Sequence, residues 1–320
     1  MKTALTELLG VEHPVMLAGM GGVSYAELAA AVSEAGGYGC LGASTMGNDT
    51  MVEQIAATKA LTNKPFGVDL LTAMPGSMIA QTELIIEGGA KMFVAGLGVP
   101  AEVIDLCHQH GVLVGSMCGK VDHARRAVDA GVDLVIVQGT EAGGHTGLVA
   151  TMPLVPMVVD IVNGQVPVVA AGGIFDGRGL AAALALGADG VWMGTRFIGT
   201  PEARGLPHYK ERLLATKEDG TVISRAFSGK TMRVIKNETT AYFEAHPEEL
   251  KPFPEQLGLT FNKTFHLGGG PETEGVDPDR EGYPAGQAAG AMDALIPARD
   301  LVLQIVAEAE ATLKRLSTLA

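Results

Sequence analysis

The amino-acid pattern predicts an α/β fold, a (β/α)8 TIM barrel with a small, mainly helical insertion before the last helices. Three observations lead there. Eight short apolar runs recur along the first 200 residues, and amphipathic helical segments separate them. The runs are apolar throughout, as strands of a parallel sheet covered on both faces must be. Eight even units without a change of rhythm favour closure into a barrel over an open doubly wound sheet.

The runs, in order, are PVMLAGM from Pro14, YGCLGA from Tyr38, PFGVDLL from Pro65 and KMFVAGL from Lys91. VLVGSMC from Val112, LVIVQG from Leu134, PVVAAGG from Pro167 and GVWMGTR from Gly190 complete the set. Their starts lie 24, 27, 26, 21, 22, 33 and 23 residues apart, close to one strand–helix unit each. Between them, AELAAAVSEAG, AEVIDLCHQHG, VDHARRAVDAG and RGLAAALALGADG place apolar residues three and four apart and end near Gly, a helix stop.

After Phe197 the rhythm stops. The sequence divides into a barrel, 1–200 and 285–320, and an insertion, 201–284, expected to cover the active-site face. LGGGPETEGVDPDREGYP, within the insertion, reads as a loop. From Ala285 a helical pattern resumes, interrupted at Pro297.

Composition narrows the function. Hydrophobic residues make up 47% and charged residues 18%, enough apolar material for a sizeable core. The net charge of −13 argues against nucleic acid or an anionic membrane as a partner, leaving a small-molecule substrate. No stretch has the length of a membrane span or the pattern of a signal peptide, and Cys40, Cys107 and Cys118 show no paired metal spacing. A cytoplasmic enzyme without a metal is expected, with a homodimer left open.

Two Gly-bearing turns have the make-up of a phosphate site. Gly172 and Gly173 follow the seventh run, and Gly194 and Thr195 follow the eighth. Residues without Cβ let backbone N–H groups reach a phosphate, and TIM barrels often place one at these two loops. Either turn alone could be only a tight connection; their pairing favours the phosphate. GTEAGGHTG, residues 139–147, sets His145 among glycines after the sixth run, where an imidazole suits proton transfer. Tyr283 and Gln287 stand where the chain returns to the barrel and are candidate substrate-lining residues. His208 and Tyr209 are weaker candidates for the same cleft, and Cys118 reads as an inert buried thiol.

VQGTEAGGHTG together with AAGGIFDGRGLAAALALGADGVWMGTRF resembles the FMN-dependent nitronate monooxygenase (2-nitropropane dioxygenase) family, related to the flavin enoyl-acyl-carrier-protein reductases. The resemblance runs from PVMLAGMGG to AGQAAG, nearly the whole chain. It implies a TIM barrel, one non-covalent FMN, and His145 as the active-site base. It further implies that Gly172, Gly173, Gly194 and Thr195 hold the FMN phosphate. Ala18, Met20 and Gly21 would lie beside the isoalloxazine, Asp69 and Gln138 near its polar edge, and Gly143 and Gly144 in the histidine loop. The chain departs from the family pattern at Asp69, where Asn is usual, and at Met117, near where some relatives carry Lys. Both departures make the pocket less positive. The expected reaction is oxidation of alkyl nitronates with O2 to a carbonyl compound and nitrite. The alternative is reduction of an enoyl thioester (ACP or CoA) or a quinone, with NAD(P)H as reductant.

Overall fold

The computed structural model describes residues 1–71, 78–96 and 98–319. All eight apolar runs form strands of one parallel sheet: β1 (Val15–Leu17), β2 (Gly39–Gly42), β3 (Phe66–Leu71), β4 (Met92–Gly96), β5 (Leu113–Cys118), β6 (Leu134–Gln138), β7 (Val168–Ala171) and β8 (Gly190–Met193). Each pairs with its neighbour in order, and β8 returns to β1, with Val15 opposite Val191. The seam between β1 and β2 is closed by Leu17 N donating to Tyr38 O and Tyr38 N to Val15 O, both at 2.9 Å. The sheet is therefore a (β/α)8 TIM barrel.

Side chains alternate across the barrel wall. Met16, Cys40, Met92, Val94, Leu134, Ile136, Val169, Ala171 and Trp192 pack together inside it. Their neighbours Leu17, Leu41, Val68, Phe93, Val135 and Val191 face outward into the layer shared with the helices. Burying each such large side chain is worth roughly 1.5–3 kcal/mol, so both layers are needed to offset chain ordering. Leu5 and Leu9 of the helix Ala4–Leu9 join the inner cluster and close one end. Thr3 starts that helix with a capping box and Gly10, at φ +67°, ends it. A side chain at Gly190 would come within 2.4 Å of Leu5, so the plug seats directly against β8.

Helices Ala26–Glu34, Asn48–Leu61, Met78–Gly88, Ala101–Gln109, Val121–Asp129, Thr151–Val162 and Gly177–Ala185 follow β1 to β7. The eighth place in the ring, beside Gly177–Ala185 and Ala26–Glu34, is filled by Ala298–Ser317. It buries Leu301, Val302, Ile305, Val306 and Ala309 there. Gly177 is required at this seam: a Cβ would lie 2.3 Å from both Ile305 O and Ala309 N.

Between β8 and this helix run the short helices Tyr209–Ala215, Glu238–Ala245 and Glu255–Thr260. They are joined by an antiparallel hairpin, Thr221–Ser224 with Met232–Ile235, which the sequence reading does not anticipate. Two strands of four residues are too short to display a period against charged flanks. The hairpin's second strand also pairs with Gly144–His145 from the loop after β6, giving a three-stranded sheet. Phe227, Met232, Val234 and Phe265 form a separate small core behind it. Glu281, fully buried, accepts from His266 N at 2.9 Å and pairs with His266 Nδ1 at 2.7 Å, tying this core to the returning chain. No helix among the described residues is long and apolar enough to cross a membrane.

Candidate active site

The loop after β6 is held from below. Gly139 packs so closely that a Cβ would sit 2.0 Å from Thr151 Oγ1. Glu141 accepts from Thr151 N at 2.9 and 3.1 Å and from Thr151 Oγ1 at 2.9 Å. Its carboxylate thus caps the N-terminus of the helix Thr151–Val162, which favours negative charge. Arg233, buried in the hairpin, donates through Nε to Thr140 O at 2.9 Å. Gln138 Nε2 donates to His145 O at 3.2 Å.

This scaffold presents His145. Its ring is open to solvent, and its Nε2 lies 2.9 Å from Ser228 Oγ. Burial among surrounding chain, and then the Lys230 ammonium, lower its pKa below the ordinary histidine value. A neutral imidazole near pH 7 is ready to accept a proton.

The loops after β7 and β8 supply the second half. Gly172 (φ +104°) and Gly173 (φ +73°) adopt backbone conformations that L side chains rarely enter. A Cβ at Gly172 would also meet Thr151 Oγ1 at 2.9 Å and Gly139 O at 3.0 Å, so the β6 and β7 loops lean on each other. Gly194 precedes the short helix Thr195–Ile198, and a Cβ there would lie 3.2 Å from Met20 Sδ and 3.4 Å from Ala18 Cβ. Thr195 Oγ1 accepts from Gly286 N at 2.9 Å, which leaves its hydroxyl proton free for another acceptor.

The loop after β1 folds toward the same mouth. Ala18 N donates to Met193 O at 2.9 Å, and Ser24 holds the turn through Ala18 O at 2.8 Å and Met20 N at 3.1 Å. Gly21 lies against Thr45, whose Cγ2 would be 2.8 Å from an added Cβ. Asp69 alternates with the outward-facing Val68 and Leu70 and so points into the barrel, pressed against Gly19. Burial pushes its carboxyl up to about 8. Met117 borders the inner cluster on β5.

The returning segment crosses this mouth. Gln287 N donates to Glu141 O at 2.9 Å while its residue remains exposed. Gly143 abuts Ala285, 2.7 Å from an added Cβ, and Gly144 holds φ +72°. Tyr283 is placed differently from its neighbour Gln287. It is 1% exposed, its ring tilted against that of Tyr209 with centroids 4.9 Å apart, and its hydroxyl donates to Pro207 O. Its surface faces packed chain, not an open cleft, and Tyr209 is buried with it. His208 is exposed beside Glu211. Burial pushes the Cys107 and Cys118 thiols up to about 11, which keeps them unreactive.

The sequence reading misses Ser228, Lys230 and Arg233, which reach the site only through the hairpin. SGK reads as a turn, and nothing in its neighbours signals a histidine partner 83 residues earlier. Gly19 and Gly286 are missed for a simpler reason: close backbone approach leaves no sequence mark beyond the glycine itself.

The nitronate monooxygenase family model matches residues 2–80 and 72–308, most of the chain. The chain belongs to the nitronate monooxygenase family. A probable nitronate monooxygenase of Staphylococcus saprophyticus is 34% identical, with 81% of this chain and 86% of that protein covered. A relative in Mycobacterium tuberculosis, named (3aS,4S,5R,7aS)-5-hydroxy-7a-methyl-1-oxo-octahydro-1H-indene-4-carboxyl-CoA dehydrogenase, is 43% identical over 77% of this chain and 69% of its own length. Among solved structures, FabK from Thermotoga maritima superposes with a TM-score of 0.90 at 34% identity, with all of both chains covered. Nitroalkane oxidase from Streptomyces ansochromogenes gives 0.84 at 29% identity, covering 98% of this chain and 100% of that one. This nitronate monooxygenase family member is thus an enzyme, an oxidoreductase.

Proposed function

We propose that the enzyme binds FMN and oxidises alkyl nitronates with O2 to a carbonyl compound and nitrite, with His145 as base. The observation that carries this reading is the position of His145, a neutral imidazole at the rim of a barrel mouth whose β7 and β8 loops suit a phosphate. Those loops fit one such group. Gly172 and Gly173 hold turns at positive φ that keep side chains away from the loop, Gly194 opens a helix N-terminus, and Thr195 retains a proton to donate. FMN, when bound, supplies the electron acceptor that stands between the organic substrate and O2. Ala18, Met20 and Gly21 offer it a flat apolar edge, and Asp69 and Gln138 polar contacts.

His145 takes the α-proton of a neutral nitroalkane, or orients a nitronate already formed. Residues 201–284 serve as the cover of the active-site face, meeting the histidine loop through the hairpin, and Gln287 lines the substrate space at the edge.

A second reading is favoured by one specific feature. Asp69 and Met117 make the inner mouth poor in positive charge, which suits a neutral acceptor better than a nitronate anion. Under that reading NAD(P)H would be the reductant and an enoyl thioester or quinone the acceptor, with His145 supplying a proton. The names of the relatives, a CoA dehydrogenase and FabK, are in keeping with thioester chemistry.

Steady-state rates of flavin-loaded wild type and His145→Asn on nitroalkane and on preformed nitronate decide between them. The variant should lose about 10²–10⁴-fold on nitroalkane and far less on nitronate, since only the neutral form needs proton abstraction. Equal losses on both would remove the base assignment. Wild type inert toward both, but bleached anaerobically by NADH or NADPH, would move the enzyme to the second reading.

A further inference from the structure

The insertion contributes directly to the histidine. Ser228 is 1% exposed, and its hydroxyl has four neighbours. His145 Nε2 is at 2.9 Å, Lys230 N and Lys230 O are each at 3.3 Å, and Met232 Sδ is at 3.7 Å. A serine has one proton to give and two lone pairs to offer. Lys230 N–H takes one lone pair. If the proton goes to Lys230 O, the second lone pair accepts Nε2–H of His145, and every group is satisfied. If the proton goes to Nε2 instead, Lys230 O loses its donor, one lone pair is idle, and Nδ1–H must find an acceptor. Nδ1 makes no hydrogen bond among the described residues. The first arrangement satisfies more groups around the buried Ser228 hydroxyl, where each lapse costs about 1–3 kcal/mol.

We propose that Ser228 is a positioning residue that fixes the tautomer of His145, leaving the lone pair on Nδ1 as the atom that takes the proton. The proposal rests on the reading of His145 as base. The backbone reinforces it: His145 pairs in register with Met232, and Thr146 N donates to Thr231 O at 3.3 Å. The ring, on the strand Gly144–His145, and the serine, in the turn of the hairpin, are therefore held side by side. The Lys230 ammonium, whose charge bears on His145, lies 4.1 Å from the centroid of the Phe253 ring.

Nitrogen NMR on protein carrying isotope-labelled histidine tests this without turnover, with the His145 signals identified by their loss in His145→Asn. Wild type above the histidine titration should show the proton on Nε2 and a bare Nδ1. Ser228→Ala should populate both tautomers, and Ser228→Thr, which keeps the hydroxyl, should restore the single one. In kinetics, Ser228→Ala should lose about tenfold in kcat/KM on nitroalkane, the worth of one hydrogen bond, while the nitronate rate holds. A proton on Nδ1 in wild type, or one unchanged tautomer in Ser228→Ala, overturns the proposal. Should Ser228→Ala fail to fold, the wild-type and Ser228→Thr spectra decide it. Failure of the base reading is visible separately, as equal losses of His145→Asn on both substrate forms.

Discussion

Asp69 illustrates how one residue's surroundings change its chemistry. The charge it brings to the pocket on paper is largely absent at neutral pH, because burial at the barrel mouth pushes its carboxyl up to about 8. The linkage follows from the sign: a folded-state value above the unfolded one stabilises the fold below about 4, and that contribution is lost as pH rises through about 8. Asp69→Asn should therefore stabilise flavin-free protein increasingly between those limits, by up to a few kcal/mol at the top. Thermal melts of both proteins from pH 5 to 9 check this; parallel curves would show an ionised Asp69 throughout. The identity of Asp69 is legible in the sequence, but its protonation is not. That depends on Gly19, a glycine from another strand's loop, pressing against it.

At the scale of elements, the eight strands and the glycine turns after β7 and β8 are readable from the sequence pattern, because buried parallel strands and, at Gly172 and Gly173, positive-φ turns restrict residue type strongly. The hairpin is not readable, since its partner Gly144–His145 lies in a loop whose glycines speak of turns. Glu141 shows the same gap. Within GTEAGGHTG it has the look of a chemical group, yet its carboxylate is committed to the N-terminus of Thr151–Val162. Glu141→Ala should cost about 1–2 kcal/mol of stability, the usual worth of a charged cap, and Glu141→Gln less. Urea unfolding measures it, and an unchanged midpoint would mean that water replaces the cap freely.

For the molecule as a whole, a cofactor bound only by the folded barrel must raise its stability by mass action. FMN at about a hundredfold over its Kd should add about 2.7 kcal/mol and lift Tm by several degrees. Gly173→Asp should abolish that increment, because a carboxylate at this turn would repel the phosphate. The increment, not the baseline, is the readout, since a side chain at φ +73° lowers Tm by itself. A variant that still gains Tm with FMN would place the phosphate elsewhere.

The separation of β8 from the helix Ala298–Ser317 that completes its unit also has a temporal side. A ribosome delivers all eight strands and the entire excursion before that helix exists. Until then the flank between Ala26–Glu34 and Gly177–Ala185 stands bare, and the apolar faces meant for Leu301, Val302 and Ile305 meet water. Contacts so distant along the chain form late and slowly. A nascent chain that packed before this helix emerged would have its chemistry assembled and its wall unfinished, open to chaperones and neighbouring chains.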